Sequence, residues 1–185
     1  SGNGNTLTGV AVGISQHTTN LPVDVTLSEG TYSTAAADGY AFYEVDLQDN
    51  VTEGVAASIQ NGTFNGAIAG ETVSNFIEDG IFSEPVESKY LAAQDAAITK
   101  NEDGNYVISS APATAEVTIG GATYTYSTLA EAVAAVPAEN AEPAVIKLIG
   151  SEEVIEGGGI IVDDNKNIVF DFNGKTYNVV GPTVG

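Results

Sequence analysis

The chain has 185 residues, 43% of them hydrophobic, enough for one domain with a real core or for two small ones. Its 25 acids stand against five lysines and no arginine, a formal net charge of −20, so it offers no cationic footprint to nucleic acid or to an anionic membrane surface. There is no cysteine, which removes disulfides, thiol catalysis and thiolate metal sites together, and no apolar run nears the ~18 residues of a membrane-spanning helix. The acids are scattered along the chain and form no acidic tail, which reads as a wet surface for an extracellular or salty setting before it reads as a cation-binding one. An opening at Ser1 suggests a processed chain or a fragment.

In chain order, residues 1–8 are small and polar and predict a mobile end. Val10, Val12 and Ile14 alternate, which predicts a strand over 9–15; residues 17–20 read as a turn. Pro22 marks a strand start or an edge, and Val23 to Leu27 alternates with Asp24 and Thr26 on a wet face. A loop is expected at 34–39, a strand over Tyr40–Leu47, a turn at Asp49-Asn50, and strands at Val55–Ile59 and within Ile68–Ile77.

One stretch recurs through this half. Leu27-Ser-Glu-Gly30-Thr-Tyr32-Ser33 returns as Ile59-Gln-Asn-Gly62-Thr-Phe64-Asn65 and as Ile77-Glu-Asp-Gly80-Ile-Phe82-Ser83. Each copy has an aliphatic residue three before a glycine, an acid or amide just before it, an aromatic two after it, and a small polar residue at the close. The glycines are 32 and then 18 residues apart, as coils of a β-solenoid would be if one coil carried an insertion. The aliphatic residue would point inward, and the glycine would take positive φ or form a bulge.

Beyond Pro85, Ser88 is placed to cap a helical turn. Ala97–Thr99 and Tyr106–Ile108 flank Asn101-Glu-Asp-Gly104-Asn105, a hairpin signal. Ser109–Thr114 is the best linker signal, and residues 111–116 are expected to separate a unit at 1–110 from one at 117–185. In the second unit Gly120-Gly121 predicts a hairpin turn, and Thr128-Leu-Ala-Glu131 is a capping box opening a helix over about 129–136. Val145–Ile149 is almost wholly apolar and predicts a strand buried on both faces. Strands are expected at Ile160–Val162, Asn167–Phe172 and Tyr177–Val179, with turns at Asp163–Asn165 and Asn173-Gly174. The fold class is mainly β, a parallel β-helix with one short capping helix; the alternative is an all-β sandwich.

The run from Thr128 through Val136, Val145–Ile149 and Asn167-Ile-Val-Phe-Asp-Phe-Asn-Gly-Lys-Thr-Tyr177 resembles the opening of pectate-lyase-like right-handed β-helix domains of large bacterial surface proteins. Gly80-Ile-Phe-Ser-Glu-Pro-Val86, Tyr90-Leu-Ala92 and Asp103-Gly-Asn-Tyr-Val107 resemble their closing segment. The resemblance implies that the helix caps a solenoid mouth. The closing segment here precedes the opening one. That order implies either a cut across two tandem domains or a subunit whose head completes its neighbour's tail. The expectation is head-to-tail self-association, with coil edges near residue 180 pairing with edges near residue 10.

Catalysis is not expected. Lyases of that superfamily use arginine or lysine as base beside acidic calcium ligands, and their hydrolase relatives use His-Gly and Arg-x-Lys motifs. Here arginine is missing, Lys89, Lys100, Lys147, Lys166 and Lys175 sit in no repeated acidic cluster, and His17 is the single histidine, in a polar turn. The neighbouring carboxylates Glu102-Asp103, Glu152-Glu153 and Asp163-Asp164 are poor glycosidase pairs, because adjacent strand residues face opposite ways. No cofactor is expected. Asp163, Asp164 and Asn165 are candidate calcium ligands whose competing reading, a structural turn, is preferred. Asn173-Gly-Lys-Thr176 lacks the first glycine of a phosphate loop. Asn50 and Asn61 match glycosylation acceptors. Tyr32, Tyr40 and Tyr43, with Phe64, could line a strip on which a host or bacterial glycan stacks; an internal aromatic stack is the preferred reading. The function expected is a non-enzymatic structural module of an extracellular or cell-surface bacterial fibre or adhesin.

Overall fold

The computed structural model describes residues 7–16, 22–46, 54–93 and 95–181; His17, Leu47, Asn50 and the turns expected at 17–20 and 49–50 lie outside the described residues. The chain forms two compact units, Ser1–Gln94 with Lys100–Ile108, and Asp95–Thr99 with Ser109–Gly185.

The first unit is made of short parallel strands in three stacks. Its strands are β1 (Val10–Gln16), β2 (Val23–Leu27), β3 (Thr31–Ser33), β4 (Tyr40–Asp46), β5 (Val55–Ile59), β6 (Thr63–Asn65), β7 (Ala67–Gly70) and β8 (Ile81–Phe82). Strands β1, β4 and β7 form one stack, β2 and β5 a second, and β3, β6 and β8 a third, every pairing parallel. Parallel bridges from Ile59 to Ile77 and from Ile77 to Leu91 carry the second stack two rows further. Strands β9 (Ala96–Lys100) and β10 (Tyr106–Pro112) follow, and Tyr106 and Val107 run antiparallel to Phe82 and Ile81.

The recurring stretch explains this order. Leu27 lies opposite Ile59, and Tyr32, Phe64 and Phe82 lie in one row. Gly30, Gly62 and Gly80 all take positive φ, at 115°, 135° and 150°, a region that disfavours side chains. A Cβ on Gly62 would stand 3.1 Å from the Gly30 carbonyl, and one on Gly80 2.8 Å from the Phe82 ring. The residue before each of the later two glycines serves the bend: Asn61 Oδ1 and Asp79 Oδ1 accept from the glycine N–H, each at 2.7 Å. The closing polar residue links rows, with Asn65 Nδ2 donating to Ser33 Oγ at 2.9 Å. The longer first interval is taken up by the loop at 34–39, by the longer β4, and by the passage from β4 to β5.

The second unit contains β11 (Ala115–Ile119), β12 (Ala122–Tyr126), α1 (Leu129–Ala135), β13 (Ala144–Leu148), β14 (Val154–Gly157), β15 (Ile168–Asp171) and β16 (Thr176–Val179). Gly120 and Gly121, at φ 58° and 87°, turn β11 into antiparallel β12. Strand β11 also pairs antiparallel with β13, β13 parallel with β15, and β14 parallel with β16; Tyr126 of β12 bridges Ile98 of β9. The capping box forms on both sides, Thr128 Oγ1 accepting from Glu131 N and Glu131 Oε2 accepting from Thr128 N. Glu131 Oε1 takes the Thr99 hydroxyl. Buried Leu129, Ala132 and Val133 turn α1 toward a core of Ala115, Val117, Ala144, Ile146 and Leu148.

Several expectations need correction. Ser88 lies within a 3-10 turn, Ser88–Tyr90; Glu87 takes the cap position and makes no side-chain cap bond. Strand β13 is buried on one face alone, with Val145 41% exposed, because its inner row carries the core while its outer row meets solvent. No strand forms at Ile160–Val162, where Ile161 is 81% exposed.

Candidate functional site

The aromatics divide into an inner column and a surface pair. Tyr32 stacks on Phe64 at 4.9 Å between ring centroids and Phe64 on Phe82 at 5.3 Å, with planes 16° and 15° apart. Phe64 and Phe82 are fully buried, and half-buried Tyr32 ends the column with its hydroxyl donating to Glu29 O at 2.7 Å. Tyr40 and Tyr43 stack on each other at 4.7 Å and 21°, both half-buried. The Tyr43 hydroxyl donates to Glu71 Oε1 at 3.0 Å; that bond, then burial, raises its pKa above the ordinary tyrosine value. Tyr32 and the Tyr40–Tyr43 pair belong to different strand stacks, and only the latter two stack on each other.

Asp163, Asp164 and Asn165 form a tight turn in which Asn165 takes φ 64°. Asp163 faces the Lys166 ammonium at 3.6 Å, and that ammonium also donates to the carbonyls of Val133 and Ala134 at the end of α1, at 3.0 and 3.3 Å. A cation is already supplied there by the chain, and it offsets the negative end of the helix. Among the described residues no group of three or more His, Cys, Asp or Glu is arranged to hold a metal ion.

Each lysine has a partner. Lys89 meets Glu87 at 3.2 Å and lies over the Tyr90 ring, Lys100 lies over Tyr106, and Lys147 meets Glu116 at 3.5 Å across the β11–β13 pair. Lys175 donates to Glu152 O at 3.2 Å. For Lys89, burial alone would lower the pKa, but bonds to Tyr90 and Glu87 outweigh it and hold the pKa above the ordinary value. That is opposite to the shift that makes a lysine a base near neutral pH. Glu102, Asp103, Glu152 and Glu153 are exposed at bends and turns.

Two features of the described residues escaped sequence reasoning. Glu44 is completely buried, with Oε2 accepting from Thr72 N at 2.8 Å and Oε1 from Thr72 Oγ1 at 2.7 Å. Nearby, Gly70 exchanges bonds with the Tyr90 hydroxyl at 3.0 and 3.1 Å. This carboxylate anchors the corner after β7. The second feature is the state of the outermost strands. Strands β1, β2 and β3 each end a stack in the first unit; β15 and β16 each end one in the second. The row Ala144, Ile146 and Leu148 is buried, yet the next row is open, with Phe170 37% and Phe172 42% exposed and stacked at 6.3 Å. On and just after β16, Val179 and Val180 are 59% and 47% exposed. Exposed apolar side chains on an outermost strand are what strand addition uses.

No helix among the described residues is long and apolar enough to cross a membrane. No protein-family model, curated protein or solved structure matches this chain.

Proposed function

We propose that the chain is a non-enzymatic structural module of an extracellular bacterial fibre or surface appendage, a parallel β-helix joined head to tail through its coil ends. The observation that carries this reading is the in-register stacking of the three glycine–aromatic repeats, Leu27 on Ile59 on Ile77 and Tyr32 on Phe64 on Phe82. A chain that returns to the same row once per repeat is winding as coils. The first repeat opens one end at β2 and β3, and β15 and β16 open another. The mechanism is mechanical. Backbone pairing between coils and an apolar core within each unit stiffen the coils, while the −20 charge keeps their flanks hydrated and apart. The helix α1 is the cap of the second set of coils. A contact between unlike ends does not close on itself, so it propagates.

Sedimentation velocity across a concentration series tests this. Mass that keeps growing with concentration supports the reading; a monomer independent of concentration contradicts it. A second reading, a glycan-binding face, is favoured by the half-exposed Tyr40–Tyr43 stack, since aromatic faces take up sugars. Glycan-array binding lost on Tyr40→Ala supports it, and an empty array removes it.

A further inference from the structure

We infer that the occupant of the open β15–β16 end is the β2–β3 end of a second copy, with Ile168 opposite Val23 and Thr176 opposite Thr31. This rests on the head-to-tail reading and gives it a register. Strand β2 is the first of its stack and leaves the edge that an earlier coil would take; β15 is the last of its stack and leaves the edge for a later one. Parallel crossover connections are right-handed in nearly all cases, so the two ends wind alike and offer opposite edges.

The spacing selects the strands. From the start of β15 to the start of β16 is eight residues (168 to 176), and from β2 to β3 it is also eight (23 to 31). From β1 to β2 it is 13 (10 to 23), so a pairing of β15 and β16 with β1 and β2 would break register in one strand or the other. In the eight-residue register Ile168, Phe170 and Phe172 fall on Val23, Val25 and Leu27, the inward row of β2. Tyr177 falls on Tyr32 and would extend the Tyr32–Phe64–Phe82 column by one ring. Asn178 falls on Ser33, repeating the Asn65–Ser33 rung. The exposed row of one end thus meets the inner row of the other, where Val23 and Val25 are half-buried and Leu27 is already buried.

The charges agree. In a chain of net −20, residues 166–180 carry Lys166 and Lys175 against the single Asp171, whereas residues 22–34 carry Asp24 and Glu29 and no lysine. In this register Asp171 meets Thr26, Asp24 meets Val169, and Lys175 lands beside Glu29, so no like charges face each other.

The chain has no cysteine, so a disulfide can be placed at will. Asp24 and Val169 are both exposed on the outer faces of their strands, and adjacent strands stand at a separation that a disulfide spans. The double variant D24C/V169C, oxidised at high concentration, is expected to give a reducible ladder of covalent dimers, trimers and longer chains. Each single variant is expected to stop at the dimer. A ladder from A11C/V169C, with none from D24C/V169C, overturns the register and leaves head-to-tail stacking standing, since it moves the contact to β1. A disulfide formed within one chain and no ladder overturns the second copy as occupant. No ladder from either pair, with a monomer in sedimentation, overturns the register and the head-to-tail reading together.

Discussion

Removing the middle ring of the inner column tests how the first unit holds together. Phe64 is fully buried between Tyr32 at 4.9 Å and Phe82 at 5.3 Å. Phe64→Ala should cost about 3–5 kcal/mol, from lost transfer energy, an unfilled cavity and two broken ring contacts. At a urea dependence of about 2 kcal/mol per molar, the unfolding midpoint should fall by roughly 2 M. Far-UV circular dichroism is the assay, because the chain has no tryptophan. Phe172→Ala is the control, since Phe172 is 42% exposed and should cost well under half as much in the monomer. A loss at Phe64 below about 1 kcal/mol, or equal to that at Phe172, would refute the stacked column as a source of stability.

Thr72→Val removes the hydroxyl that donates to Glu44 Oε1 and leaves a buried carboxylate with one bond fewer; a loss of about 1.5–3 kcal/mol, read as a fall of roughly 1 M in the urea midpoint, is expected, and none would mean the carboxylate is hydrated. Lys166→Met withdraws the ammonium from the Val133 and Ala134 carbonyls, and a drop of about 1 kcal/mol, with no change in calcium response by calorimetry, is expected. Tyr43 and Tyr177 both have pKa values raised in the fold, Tyr43 by its bond to Glu71 and then burial, Tyr177 by burial. Their stabilising contribution is complete below the ordinary tyrosine value of about 10 and is lost as pH rises through the folded values, because the unfolded chain ionises first. Urea midpoints should therefore fall above about pH 10, and fall less steeply in Tyr43→Phe.

The repeat was legible because each of its positions has a separate chemical duty. Glycine takes the positive φ, Asn61 and Asp79 hold its N–H, and the aromatic two residues on joins a column, so composition and spacing repeat together. The capping box and the Gly120-Gly121 turn were legible for the same reason: local chemistry satisfies local backbone. What failed depends on neighbours far along the chain. The apolar run at Val145–Ile149 carries no mark that its outer face would meet solvent. Ser88 is a capping residue type, but the turn starts with it instead of after it. Glu44 sits two residues from Phe42, and parity alone puts both on one face; only Thr72, 28 residues on, makes that burial tolerable. The open ends were hidden too, because which strand lies outermost is a property of topology. In the sequence Phe170 and Phe172 look like any alternating core row.

The most direct test of the account is negative-stain electron microscopy of the purified chain over a concentration series. Head-to-tail joining of coil ends predicts unbranched filaments with a constant axial repeat, lengthening with concentration and shortened to single particles by Phe170→Asp. Uniform single particles at every concentration would contradict it.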